Sequence, residues 1–392
     1  MTDTSLEEVV SRCINTHGRI TFAEFMALAL YSPLGGYYSS LPNVERYRDY
    51  FTSPAAHPAF GALIALQLEE MWHLMGCPSR FVVLEPGAGP GLLARDVTKY
   101  THNLHPDFKK SLVYIAIDRY MRQQDESDMA LFEAIVAAGL PFKKIRGCIL
   151  SNELLDALPV HRIVVRNGQI NEIYVTYKNG KFIELEDNPS TPLIEARLLE
   201  SGVDLAEGQR AEVCLELDNW IHRISEVLEQ GFLMTIDYGY PSHELYAPGR
   251  FHGTLRCYYR HTVGVDPYIR LGEQDITAHV DITALKVLGA KYGLCAQPLQ
   301  TQASFLENLG IGNFRRRLAV SGLRQTERDA NRMAMLQLTR SGGMGDFRVV
   351  IQGKQVESHL ITGIHGASNA WQGRFTDLPL PVLGDKHINL MR

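Results

Sequence analysis

The sequence has no apolar run approaching the roughly 18 residues that a helix needs to cross a bilayer, so no membrane insertion is expected. It has no C-x-x-C pair. The six cysteines, Cys13, Cys77, Cys148, Cys214, Cys257 and Cys295, are scattered. That leaves no metal-ligand spacing and reads as buried free thiols in a reducing compartment. Basic excess is missing too: the formal net charge of −5 argues against a nucleic-acid binder driven by phosphate neutralisation. The first residues, Met1-Thr2-Asp3-Thr4-Ser5-Leu6-Glu7-Glu8, are acidic and polar rather than a signal peptide, and a cytoplasmic protein is expected. There are no internal repeats and no low-complexity tracts. What is present is ordinary for a folded chain, with 45% hydrophobic and 21% charged residues over 392 positions. That length suffices for one large decorated domain or two smaller ones.

The stretch that organises the rest begins with Phe81-Val82-Val83-Leu84, a continuous apolar run of the kind a buried parallel strand makes. It runs into Glu85 and then Gly87, Gly89 and Gly91 at alternate positions. Glycines at the carboxyl end of a strand permit a tight turn and let a ligand approach the backbone, since no Cβ intervenes. In open α/β sheets a nucleotide-like cofactor binds in that crevice. The dinucleotide fingerprint G-x-G-x-x-G is absent, which disfavours an NAD-dependent dehydrogenase. The spacing here, E-x-G-x-G-x-G, is similar to the first motif of class I methyltransferases that use S-adenosylmethionine.

Along the chain, residues 5–30 carry helical periodicity, with Thr21 and Glu24 spaced as a capping box. Two aromatic, turn-rich segments follow, at 31–38 and 48–54, either loops packed by their own rings or a lid over the cofactor. Residues 59–75 read as an apolar helix and 92–100 as the helix behind the glycine turn. The second strand, 112–118, ends in Asp118, a carboxylate placed to accept ribose hydroxyls or simply an exposed strand end. The fourth, 148–150, opens into Ser151-Asn152-Glu153-Leu154-Leu155-Asp156. Polar groups so concentrated at a strand end are costly without partners, so they indicate a ligand, a helix cap, or both. Turn signals at Asn167-Gly168 and Asn179-Gly180 mark an antiparallel insert on the main sheet. The fifth strand, 231–240, again ends in an acid and a glycine, and 346–351 is the last. The expected fold is α/β, a Rossmann-like doubly wound, mostly parallel sheet with a helical N-terminal cap and antiparallel β inserts. The expected layout is cap and lid loops over 1–75, a core over 76–353 with inserts at about 161–210 and 241–280, and a C-terminal extension over 354–392.

Taken in order, several segments resemble the MidA-type family of class I methyltransferases, whose mitochondrial members methylate an arginine on a complex I subunit during assembly. They are Tyr31-Ser32-Pro33 with Gly36-Tyr37-Tyr38, Thr52-Ser53-Pro54, Glu85 with its three glycines, residues 152–159, Asp237-Tyr238-Gly239, Gly253-Thr254-Leu255-Arg256, and residues 275–281. The resemblance implies S-adenosyl-L-methionine as cofactor, held by Glu85, Gly87, Gly89, Gly91, Asp118 and Asn152, with Tyr38, Thr52, Ser53 and Pro54. It implies a protein arginine as acceptor. Three departures stand out: Ala55 where the family has an acid, Arg119-Tyr120-Met121 in place of a Ser-containing turn, and the long tail.

Methyl transfer needs alignment and charge stabilisation, and a carboxylate near the sulfonium can orient a guanidinium through its planar fork. Glu153 is the first candidate for that role and Asp156 the second, a helix-capping acid being the alternative for Asp156. Arg256 reads as a structural ion pair, and His261 and His279 as packing histidines. A small-molecule O- or N-methyltransferase and a non-catalytic assembly factor remain open at this stage. No metal is expected.

Overall fold

The apolar runs fold into one eight-stranded sheet, whose strands we number in chain order: β1 (Phe81–Pro86), β2 (Leu112–Asp118), β3 (Glu133–Val136), β4 (Ile145–Asn152), β5 (Leu228–Asp237), β6 (Leu294–Ala296), β7 (Gln300–Thr301) and β8 (Arg348–Lys354). The structure is a computed structural model, and it describes residues 5–39, 52–119, 131–260, 262–357 and 360–390. Arg48, Asp49, Tyr50 and Phe51 of the expected lid, together with Tyr120, Met121 and His261, lie outside the described residues.

The chain forms two compact units, one of Met1–Tyr50, Leu154–Ile221 and Gly239–Leu288, the other of Phe51–Glu153, His222–Tyr238 and Gly289–Arg392. The eight-stranded sheet belongs to the second and larger unit. Its order is β6-β8-β5-β4-β1-β2-β3, with β7 also on β8. β1 runs parallel to both β2 and β4, β2 to β3, and β4 to β5, while β8 is antiparallel to its neighbours. Phe81–Pro86 and Ile145–Asn152 are adjacent, with Leu84 opposite Ile149. Because the chain leaves β1 toward β2 on one side and reaches β4 on the other, the strand order reverses at β1, where open α/β sheets take their ligands.

All six residues of β1 are buried, which is why its sequence is continuously apolar up to Glu85. β3 differs: it is the edge strand, and Glu133, Ala134 and Val136 are exposed, so its short apolar run is not buried as those of the inner strands are. The apolar helix Ala59–Leu74 packs into the same core as Phe81, Val83 and Tyr114. Residues beyond β8 join that core through Ile361, Ile364, Trp371, Phe375 and Leu378, so the C-terminal extension is packed.

In the other unit, helices Leu6–His17 and Phe22–Tyr31 form as their periodicity requires, the second with its Thr21–Glu24 capping box closed in both directions. The turns Asn167-Gly168 and Asn179-Gly180 have positive φ throughout and join strands His161–Arg166, Gln169–Lys178 and Lys181–Asp187. These strands do not lie on the main sheet as expected. They build a five-stranded sheet of their own, because Ile20–Thr21 and Arg210–Val213 supply the pairing its other edges need. The thiols also depart from expectation: all six cysteines are free, but only Cys148 and Cys257 are buried, and Cys77 and Cys295 are exposed.

Candidate functional site

Four parallel strands, β1, β2, β4 and β5, release their chain at the same edge of the sheet, and the sequence places an acid or a glycine at each exit. After β1, Gly87, Gly89 and Gly91 have φ of 72°, 53° and 73°. These left-handed values are cheap for glycine alone, so the spacing is a conformational requirement of the turn. Gly91 is also the N-cap of helix Leu92–Thr101 and has no side chain to cap it. The Glu85 carboxyl lies by that first turn, where the Ala94 backbone favours its charged form. It also accepts the Tyr114 hydroxyl at 2.8 Å. Glu85 is 4% exposed, and burial pushes its pKa up to about 8. The same burial, with Glu85 beside it, pushes the Tyr114 phenol well above its ordinary range.

At the end of β2, the Asp118 Oδ2 atom accepts the Gly89 amide at 2.8 Å. The strand-end acid therefore holds the tip of the glycine turn.

At the end of β4, Glu153 has φ 51°, a left-handed backbone on a non-glycine residue. Its amide donates to the Ile236 carbonyl of β5 at 2.8 Å, which fixes this conformation. Its Oε1 accepts both the Ser53 amide and the Asn152 side-chain amide at 3.0 Å. Thr52-Ser53-Pro54 thus meets Glu153 through backbone: Thr52 is the N-cap of the short helix Ser53–Ala56 but makes no side-chain cap bond, and Pro54 sits in its first turn. The Ser53 hydroxyl donates instead to Oε1 of buried Gln302 at 3.0 Å. Loss of solvation dominates at Glu153, and with the charge of Asp237 it pushes the pKa up to about 8 despite the two donors. Asn152 keeps its Oδ1 buried without a hydrogen-bond partner in the protein.

The structure brings Thr52, Ser53, Pro54, Asn152 and Glu153 together, and Glu85, the glycines and Asp118 together, all within the larger unit. Tyr38 and Asp156 belong to the other unit. There Tyr38 donates its hydroxyl to Asp275 at 2.8 Å and stacks on Tyr31, and buried Asp156 accepts the Ala278 amide on its carbonyl. Arg256 is exposed, and its guanidinium donates to the Leu255 carbonyl. Half-buried His279 has its pKa pushed down to about 4 by desolvation and by Arg250 and Arg256. Sequence reasoning missed Tyr114, Gln302 and Asp237 as partners of the site. Only Asp237 left a signal, as an acid ending the strand next to β4.

Residues 63–299 match a family model described as "Putative S-adenosyl-L-methionine-dependent methyltransferase". A crystal structure of a COG1565 superfamily member from Burkholderia thailandensis, bound to S-adenosyl-homocysteine, is similar at TM-score 0.78 and 26% identity, over 93% of this chain and 96% of that one. The mitochondrial protein arginine methyltransferase NDUFAF7 homolog of Drosophila melanogaster is 25% identical over 78% of this chain and 75% of its own length. Its mouse counterpart is 24% identical over 76% and 72%. These two relatives are mitochondrial proteins, which overturns the cytoplasmic placement expected from the polar first residues. Lack of a secretory pattern does not choose among the remaining compartments. The match covers more than half of the chain, and the chain belongs to this family of S-adenosyl-L-methionine-dependent methyltransferases.

Proposed function

We propose that the chain transfers the methyl group of S-adenosylmethionine to a guanidinium nitrogen of an arginine in a partner protein. The observation that carries this reading is the Glu153 carboxyl, fixed at the end of β4 by two donors and pushed up to about 8 by burial and Asp237. A carboxyl in that state lacks positive charge nearby. A guanidinium supplies it in a planar fork that two carboxylate oxygens match. The relatives named as protein arginine methyltransferases support the same acceptor.

We assign the cofactor to the strand exits of the larger unit, which we read as a Rossmann-like doubly wound core, with the N-terminal helices and β inserts as additions. The residues fit such a group. Three left-handed glycines present backbone with no Cβ, and Asn152 Oδ1 is a buried acceptor awaiting a donor. In this reading Gly87, Gly89 and Gly91 cradle the cofactor, Asp118 takes its ribose, and Asn152, Thr52, Ser53 and Pro54 complete the surroundings. Glu85 acts from beneath that turn, held by Tyr114. Bound there, S-adenosylmethionine supplies an electrophilic methyl on a sulfonium. The protein has to align the acceptor and hold its charge, and within the larger unit Glu153 is the candidate for that role.

The test is transfer of isotopically labelled methyl from S-adenosylmethionine into a host lysate, followed by hydrolysis and amino-acid separation. Label on protein arginine is expected. Label on a small molecule would replace the acceptor class, and no label despite S-adenosyl-homocysteine binding would favour a non-catalytic assembly factor.

A further inference from the structure

We infer that residues 383–387 are a strap that positions the cofactor-facing backbone, with His387 as a positioning residue. The inference rests on the assignment of the cofactor to the glycine turn.

Two elements shape that turn's surroundings: helix Ser53–Ala56, whose first amide lies on Glu153, and helix Leu92–Thr101, which starts at Gly91. The C-terminal extension is hydrogen-bonded into both through four buried polar side chains, His57 (0% exposed), His387 (1%), Asn331 (4%) and Asp96 (8%).

The first arm runs through Asn331. His57 is the C-cap of helix Ser53–Ala56. Its Nδ1 accepts the Ala59 amide at 3.0 Å, so its proton is on Nε2, which donates to Asn331 Oδ1 at 2.9 Å. The Leu383 amide donates to the same Oδ1 at 2.8 Å, and Asn331 Nδ2 donates to the Glu327 carbonyl. One side-chain oxygen thus joins the end of the short helix to the tail, with both lone pairs used.

The second arm runs through Asp96, five residues after Gly91. His387 Nε2 donates to Asp96 Oδ2 at 2.8 Å, while Oδ1 accepts Arg95. Asp96 is also pressed against helix Ala59–Leu74. A Cβ added at Gly61 would come within 2.6 Å of the Asp96 Cβ, so the helix has no slack on that side. Apolar packing would hold the tail equally well but without direction. Here each contact is a directed hydrogen bond, and loss of His387 leaves a buried carboxylate under-satisfied on the helix that begins at the glycine turn.

The test compares full-length protein with H387A, H387Q and L383P, the last removing the amide that meets Asn331. Trp371→Leu serves as control: it is buried in the same extension, and its indole donates to Leu309 rather than to either arm. S-adenosyl-homocysteine affinity is read by calorimetry well below melting, with hydrogen exchange across residues 87–91. H387A and L383P are expected to raise Kd roughly tenfold, within the usual range of coupling between remote contacts and a site, and to speed exchange in the turn. H387Q, which keeps a donor, recovers most of the affinity, and Trp371→Leu lowers the melting point with Kd unchanged. Unchanged Kd and exchange in both strap variants would overturn the inference, as would equal weakening by Trp371→Leu at the same loss of melting point. Retained binding in Gly89→Val would instead overturn the cofactor assignment, so the two failures are distinguishable.

Discussion

Asp118 and Gly89 are joined by a 2.8 Å hydrogen bond from the glycine amide to the carboxylate, across the exits of two adjacent parallel strands. The acid that ends β2 is therefore part of what gives the turn after β1 its shape. Asp118→Ala removes that acceptor, and S-adenosyl-homocysteine affinity measured by calorimetry should fall roughly tenfold to a hundredfold, as for loss of a hydrogen bond to a charged group. Asp118→Asn keeps an acceptor oxygen and should fall between alanine and wild type. Unaltered binding in the alanine variant would remove Asp118 from the site.

Gly89 itself has φ 53°. A residue with a Cβ meets about 1–2 kcal/mol of strain in this region, and a β-branched one meets more. Gly89→Val should keep the circular dichroism of the folded protein and lose cofactor binding. A variant that binds normally would show that the ligand does not approach this backbone.

Much of the framework could be read from the chain because buried parallel strands are short apolar runs. β1, β2, β4 and β5 each show one, and the acids at their ends mark the edge of the sheet that carries the candidate site. β3 could not be read: it is an exposed edge strand, and its Ala134-Ile135-Val136 runs on into Ala137 and Ala138 with no turn residue to mark a strand end before Gly139. Helices Ile311–Ala319 and Gln325–Gln337 were missed because the first is short, with Ile311, Phe314 and Leu318 set among Arg315, Arg316 and Arg317, and polar residues dominate the second. The strand-end acids Glu85, Asp118 and Glu153 stand out locally, but their partners do not. Gln302 meets Ser53, and His387 meets Asp96, across spans of chain that no local pattern bridges.

The raised carboxyl of Glu85 makes stability depend on pH. Its ordinary pKa is 4.5, and in the folded protein it is about 8. Between those values the folded state holds a proton that the unfolded state has released, so stability should fall as pH rises through this window. Glu85→Gln can still accept from Tyr114 and has no charge to bury. Urea unfolding at pH 5 and pH 8 should therefore show a smaller decline in the variant than in wild type. Equal declines would mean that Glu85 is ionised at little cost.

Glu153 should also appear in kinetics. With its pKa near 8 in the free protein, the charged form that pairs with a guanidinium is the minor one at neutral pH. kcat/KM is expected to rise with pH toward a plateau above that value, as it reports groups of the free enzyme. Glu153→Gln should lack this limb. A flat wild-type profile from pH 6 to 9 would show that no such ionisation precedes transfer.

Measuring cofactor affinity and methyl transfer side by side in Glu153→Gln separates the two jobs a carboxyl at this edge could do. The substitution keeps the size of the side chain and an acceptor for the Ser53 amide, and removes the charge. If Glu153 orients the acceptor, transfer falls about 10²–10³-fold, as when one preorganised electrostatic group is lost, while S-adenosyl-homocysteine affinity stays within a few-fold of wild type. Loss of cofactor affinity in step with transfer would make Glu153 a cofactor ligand, and full activity would leave it only the cap of the Ser53–Ala56 helix. Either result would contradict its role toward the acceptor.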